Sequence, residues 1–218
     1  MTIVINKIFV RTFFLLTMIA LIGSSGFSQA DWELQKDKKG VKVWTKDYPD
    51  SKFKQFKAKT KIKAELKNVV AVFLDIENMG LWYDRVEKVT MVEKISDMEG
   101  TYKIDFELPW PVKDRISAVR ATLSHDPETD VVTVRTRYED GIIKESDRLV
   151  VTDIHSEWVL TPVEDGYVDI FHKGYMHPAG SLPSWIANSG VKEGPVKTLS
   201  ALREILPDYA NAKVAFLE

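Results

Sequence analysis

The sequence predicts an α+β domain in which a run of antiparallel strands is closed by a C-terminal helix. Three observations predict it. Apolar and polar residues alternate over 41–62 and again over 86–177, the period of a half-buried strand. Turn residues interrupt that alternation at short intervals, so successive strands join as hairpins. Helical spacing replaces alternation in two places, 66–76 and 181–206.

Taken in order, Val41 and Val43 belong to a first strand and 53–62 to a second, separated by the turn-forming Asp47, Tyr48, Pro49 and Asp50. Leu66, Val69, Val70, Phe73 and Leu74 then fall on one face of an amphipathic helix, followed by a short helical or turn segment over 78–85. Strands resume with 86–95 and 101–108 around Gly100. Segments 115–125 and 131–138 flank a turn from Asp126 to Asp130, where Pro127 fixes φ and aspartates bond their own backbone. Segments 148–161 and 167–177 flank Glu164, Asp165 and Gly166. The last helix is expected to start at Ser181 as N-cap, to carry Pro183 in its first turn and to stop at Pro207. Gly190, Gly194 and Pro195 interrupt it, at about 1 kcal/mol for each glycine and about 3 for the proline relative to alanine, which predicts a kink or a close approach.

The first thirty residues read differently. Lys7 and Arg11 precede a short apolar run over 13–23, and Ser28 and Ala30 place small residues where a signal peptidase reads them. The apolar run is shorter than the roughly 20 residues of a spanning helix. The expectation is a signal peptide over 1–30, cleaved before Asp31, and one exported domain over 31–218, periplasmic or extracellular. Beyond the leader 28 basic residues face 32 acidic ones, a net charge of −4. No basic excess draws that domain to nucleic acid, and no nucleic-acid partner is expected. The sequence has no cysteine, which excludes disulfides, thiolate metal sites and a cysteine nucleophile.

His125, His155, His172 and His177 show no zinc-site spacing. There is no Gly-x-Ser-x-Gly elbow and no glycine-rich phosphate loop after a strand. The expectation is a binding protein without cofactor or metal rather than an enzyme. Lys57, Lys59, Lys61 and Lys63 alternate as on the wet face of a strand.

Four blocks, in order, carry a family resemblance. The first is Trp32, Glu33 and Leu34 followed by Gly40, Val41, Lys42, Val43 and Trp44. The second is the helix over 69–75 running into Leu81, Trp82, Tyr83 and Asp84. The third is Tyr102, then Leu108, Pro109, Trp110, Pro111, Val112, Lys113, Asp114 and Arg115, then Arg120. The fourth runs from Gly180 through Pro183, Trp185 and Asn188 to Gly194, Pro195 and Leu202. From 31 to about 206 the chain resembles the StAR-related lipid transfer (START) family. The resemblance implies a helix-grip fold, a curved antiparallel sheet gripping the C-terminal helix around an internal apolar cavity. It implies a single lipid or sterol ligand, bound and possibly transferred. A monomer and transient membrane contact are expected; the alternative function is an enzyme of the same superfamily, of cyclase or hydrolase type, on a hydrophobic substrate.

The candidate ligand-binding residues are Trp82, Asp105, Phe106, Trp110, Arg120, His172, Tyr175 and Trp185. The resemblance implies that Arg120 lies in the cavity, paired with an acid of the neighbouring strand; Asp105 and Glu107 both qualify. The chain departs from the family where Arg115 is followed by Ile116 and Ser117 instead of an aspartate. Trp110, between two prolines, is expected in a loop that caps the cavity or touches a membrane; Trp82 and Trp185 suit a core as well as a cavity mouth. His172 shares a strand face with Val168, Ile170 and Gly174, and Tyr175 shares the other with Tyr167 and Phe171; alternation leaves open which face lines the cavity.

Overall fold

The structure, a computed structural model, describes residues 31–217. The chain divides into a unit of residues 1–31 and one of residues 32–218, and every strand and helix described belongs to the second. The expected leader and its cleavage site lie outside the described residues.

Ten strands form one sheet: β1 (Glu33–Lys38), β2 (Val41–Asp47), β3 (Lys54–Lys63), β4 (Val86–Ser96), β5 (Glu99–Phe106), β6 (Arg115–Asp126), β7 (Val131–Tyr138), β8 (Leu149–Val150), β9 (Ile154–Val163) and β10 (Tyr167–Met176). The order is β1-β2-β3-β10-β9-β7-β6-β5-β4, antiparallel throughout, with β8 added parallel to β6. Helix α1 (Leu66–Leu74) and a 3-10 turn (Ile76–Leu81) separate β3 from β4, and α2 (Ser184–Ile205) follows β10.

Alternation decides which face is inside. Val41, Val43 and Thr45 of β2 are fully buried, while Lys42 and its neighbours on the other face are not. Ala58, Thr60 and Ile62 of β3 are buried between exposed Lys59, Lys61 and Lys63. On β10 the inner face is Val168, Ile170, His172 and Gly174. Pairing aligns these positions into rows across the sheet. One row runs Thr60, Ile170, Leu160 and Val132. The next runs Val43, Ala58, His172, Trp158, Val134 and Leu123. A third runs Thr45, Phe56, Gly174, Ser156, Thr136 and Ala121.

The main core lies over the first two rows. Val69, Val70, Val72 and Phe73 of α1 and Val196, Leu199 and Leu202 of α2 are buried there with Leu160, Ile170 and Val132. Only the second half of α2 is buried in this way; its first half, from Ser184 to Gly194, keeps intermediate or high exposure.

Three expectations change. β1 was not anticipated, because its residues Glu33–Lys38 are mostly polar and it is an edge strand without a buried face. The strand expected over 148–161 is two: β8 and β9 are separated by Val151, Thr152 and Asp153, with Val151 fully buried and its N–H donated to the Ile116 carbonyl at 2.8 Å. Helix α2 begins at Ser184 with Pro183 as N-cap, without a side-chain cap, so Ser181 is not the cap. The helix continues through Gly190, Gly194 and Pro195 without ending. The turn at Pro127 is built as expected, with the Asp126 carboxylate accepting from the Glu128 N–H at 2.9 Å and the Thr129 hydroxyl at 2.8 Å.

Candidate functional site

The third row explains a hollow. Gly174, Ser156, Thr136 and Ala121 sit side by side on four neighbouring strands, and small side chains there cannot fill the space under a helix. A pocket of about 890 Å³ opens over them. Its size lies within the range of small-molecule sites, about 300–1,000 Å³. The exposed first half of α2 contributes Trp185, Ile186, Gly190 and Val191. The loop between β5 and β6 contributes Leu108, Pro109, Trp110, Pro111 and Val112, and β5 adds Tyr102, Ile104 and Phe106. Phe73, Met79, Trp82 and Tyr83 close it from α1 and the turn after it. Apolar and aromatic groups therefore dominate the wall.

His172 and Trp158 stand where core and pocket meet. Their rings stack at 3.5 Å and 9°. Phe56 and Tyr83 approach the His172 ring edge-on, at 4.7 and 5.9 Å. The Tyr83 hydroxyl lies 3.4 Å from His172 Nε2. His172 Nδ1 is buried with no hydrogen-bond partner, and so is Trp82 Nε1. Burial holds the imidazole well below its ordinary value near 6.5, so the ring is neutral. Burial first, and the Asp84 charge second, push the Tyr83 hydroxyl above its ordinary range, so it keeps its proton.

Of the anticipated residues, Trp82, Phe106, Trp110, His172, Tyr175 and Trp185 all border the pocket, at different depths. Trp82 is 2 % exposed, whereas Trp110 is 92 % and Trp185 73 % exposed, at the rim. Tyr175 belongs to the other face of β10 from His172: it stacks on Tyr48 at 3.5 Å and donates to Ser51 Oγ at 2.9 Å. Arg120 and Asp105 are corrections. Arg120 Nε donates to Glu99 at 2.7 Å, with Glu139 at 3.7 Å; its side chain is 42 % exposed and, unlike that of its partner Glu99, does not line the pocket. Asp105 lies 3.5 Å from Arg148 Nη1, and alternation turns it away from Ile104 and Phe106, the β5 residues that line the wall. The buried arginine that does line the pocket is Arg115, 2 % exposed; Arg85 also borders it but is 43 % exposed. Its Nε donates to the Pro178 carbonyl at 3.0 Å and its Nη1 to the Lys113 carbonyl. Residue 115 and residue 120 differ in parity, so one strand cannot turn both inward.

Tyr83, Trp158 and the Gly174 row were not singled out from the sequence. Tyr83 adjoins Trp82 in the second family-like block, which was a usable signal. The row exists only once strands are in register, so it carries no local signal.

No family model matches the chain. An uncharacterised protein of Pseudomonas aeruginosa is 31% identical over 186 residues, 84% of this chain and 91% of that protein. The crystal structure of a STAR-related lipid transfer protein fragment from Xanthomonas axonopodis is 30% identical and superposes with a TM-score of 0.73, covering 81% of this chain and 98% of that one. Human StAR-related lipid transfer protein 5 reaches a TM-score of 0.70 at 10% identity, over 91% of this chain and 95% of its own, a likeness of fold.

Proposed function

The chain belongs to the StAR-related lipid transfer (START) family, and from that membership we propose that it carries a single lipid or sterol-like molecule in the pocket between sheet and α2. The observation that carries this reading is the hollow itself: about 890 Å³, floored by small residues and walled by aromatic and aliphatic side chains. An apolar ligand moving from water into it gains roughly 25 cal/mol per Å² of apolar surface buried. Carriage rather than catalysis is supported by the setting of His172, whose ring meets Tyr83, Trp158 and Phe56 instead of a carboxylate.

Entry and exit fall to the rim. Trp110 and Trp185 present large exposed apolar surface on two sides of the opening, and such indoles favour a bilayer–water boundary. We assign them a transient contact with the donor and acceptor membranes. We read residues 1–30 as a signal peptide, which would make the carrier an exported one, and propose that it acts as a monomer.

The test is native mass spectrometry on residues 31–218 purified from the native host, with extraction of whatever is bound. One lipid per chain supports carriage and gives the ligand class. An empty protein that takes up no fluorescent lipid rejects it.

A further inference from the structure

The polar groups at the inner end of the pocket are few, buried and incompletely bonded. Tyr83 Oη meets His172 Nε2 at a long 3.4 Å. One proton lies between them, whichever partner holds it. If Nε2 carries it, the phenol's own proton is left to donate; if the phenol donates, its oxygen still accepts. Nearby, Trp82 Nε1–H has no acceptor. Trp82 and Tyr83 are adjacent rings 5.6 Å apart, and Tyr83 and His172 are 5.9 Å apart, all on the pocket wall. Buried polar groups are nearly always hydrogen-bonded in folded proteins, so this cluster is short of a partner.

The surroundings of the cluster define the chemistry of that partner. Aromatic faces of Trp158, Phe56 and Phe73 border it, and its own members are neutral. An ionised carboxylate or phosphate at this depth would need a countercharge. The buried cation of the wall, Arg115, is not at this cluster: it stands at the start of β6, where its Nε and Nη1 donate to the carbonyls of Pro178 and Lys113, and it makes no hydrogen bond or ion pair with Tyr83, His172 or Trp82. A hydroxyl both donates and accepts, and so satisfies Tyr83 in either arrangement while offering a lone pair to Trp82 Nε1–H. Resting on the carrier reading above, we propose that the ligand enters with a neutral hydroxyl-bearing end first and that this hydroxyl is held by Tyr83 and Trp82, with His172 positioning the Tyr83 hydroxyl. The ligand class is thus a long apolar alcohol, sterol-like or straight-chain, with any charged group left at the rim.

The experiment compares hexadecanol with hexadecane. The protein, residues 31–218, is equilibrated with phosphatidylcholine vesicles carrying one or the other, and bound ligand is counted by mass spectrometry. Wild type is expected to prefer the alcohol by at least about tenfold, the size of effect seen when buried polar groups lose a partner. Tyr83→Phe and His172→Phe are each expected to bring that preference to within about twofold, while hexadecane binds as to wild type, which also shows the variant pocket to be intact. Equal binding of alcohol and alkane by wild type overturns the proposal and leaves the carrier reading standing. A preference that persists in Tyr83→Phe overturns it too, as does equal loss of both ligands, which makes the pair structural. If neither probe binds wild type, this proposal falls; the carrier reading falls with it only if the protein also takes up no fluorescent lipid.

Discussion

A buried imidazole that stays neutral ties stability to pH. Unfolded, His172 titrates near 6.5; folded, it titrates well below that value because burial penalises the charged ring. Between the two values the unfolded chain binds a proton that the native chain does not, so stability rises with pH there. The contribution is complete above about pH 7 and is lost as pH falls through 6.5, at up to about 1.4 kcal/mol per pH unit. His155, also lowered by burial, adds a smaller slope of the same sign. Urea midpoints from pH 7.5 to 5 should therefore fall less steeply in His172→Phe than in wild type, since phenylalanine keeps the stack on Trp158 without the proton. Parallel slopes would place the charged form of His172 in solvent. The residue also illustrates what single positions reveal. Its strand and face-mates were readable from alternation, but both faces of β10 carry apolar residues, so inside and outside were indistinguishable before the register was known. Arg120 misled for a related reason: family-like spacing pointed to it, and a shift of parity put Arg115 on the wall in its place.

Helix α2 is one continuous helix with two roles. Its second half closes the core, with Leu199 and Leu202 fully buried, and its first half roofs the pocket. Substitutions should separate the halves. Leu199→Ala removes a side chain packed on all sides and should lower stability by about 2–5 kcal/mol. A Cβ at Gly190 meets nothing within 4 Å, so Gly190→Ala should raise stability by up to about 1 kcal/mol through helix propensity alone. Chemical denaturation of both variants checks the pair; a Gly190→Ala protein less stable than wild type would show a strain that the open space does not predict. Pro195 lies at the junction and removes the N–H that would bond the Val191 carbonyl, a pocket residue. Gly190, Gly194 and Pro195 suggested an interruption from the sequence, but the helix runs through them; the hairpins and the helix α1 were legible. Strand β1 and the gap between β8 and β9 were not, because a polar edge strand has no apolar period and a buried irregular stretch has the composition of a strand. The pocket floor was hidden most completely: Gly174, Ser156, Thr136 and Ala121 lie on four separate strands and are unremarkable in their own segments, and only pairing sets them in line.

At the scale of the molecule, the proposed carriage requires meeting two membranes and holding nothing too firmly at either. Residues 31–218 carry net charge −4, so attraction to an anionic bilayer does not arise from their overall field. Apolar contact is left, and the two most exposed large apolar side chains stand at the pocket opening. Trp110 on the loop after β5 and Trp185 in the first turn of α2 are exposed there at 92 % and 73 %. Neither is part of the buried core, so the double variant Trp110→Ala, Trp185→Ala should change stability by less than about 0.5 kcal/mol. Inserting two indoles at a bilayer boundary is worth on the order of 1–2 kcal/mol, which corresponds to a factor of about 5–30. Transfer of a fluorescent lipid between phosphatidylcholine vesicles should slow by that factor in the double variant, while the amount of lipid held at equilibrium stays at one per chain. A loss of capacity instead of rate would make the two tryptophans part of the ligand's own wall. Transfer at the wild-type rate would mean that the opening does not face the bilayer, and that lipid leaves the protein through another side of the sheet.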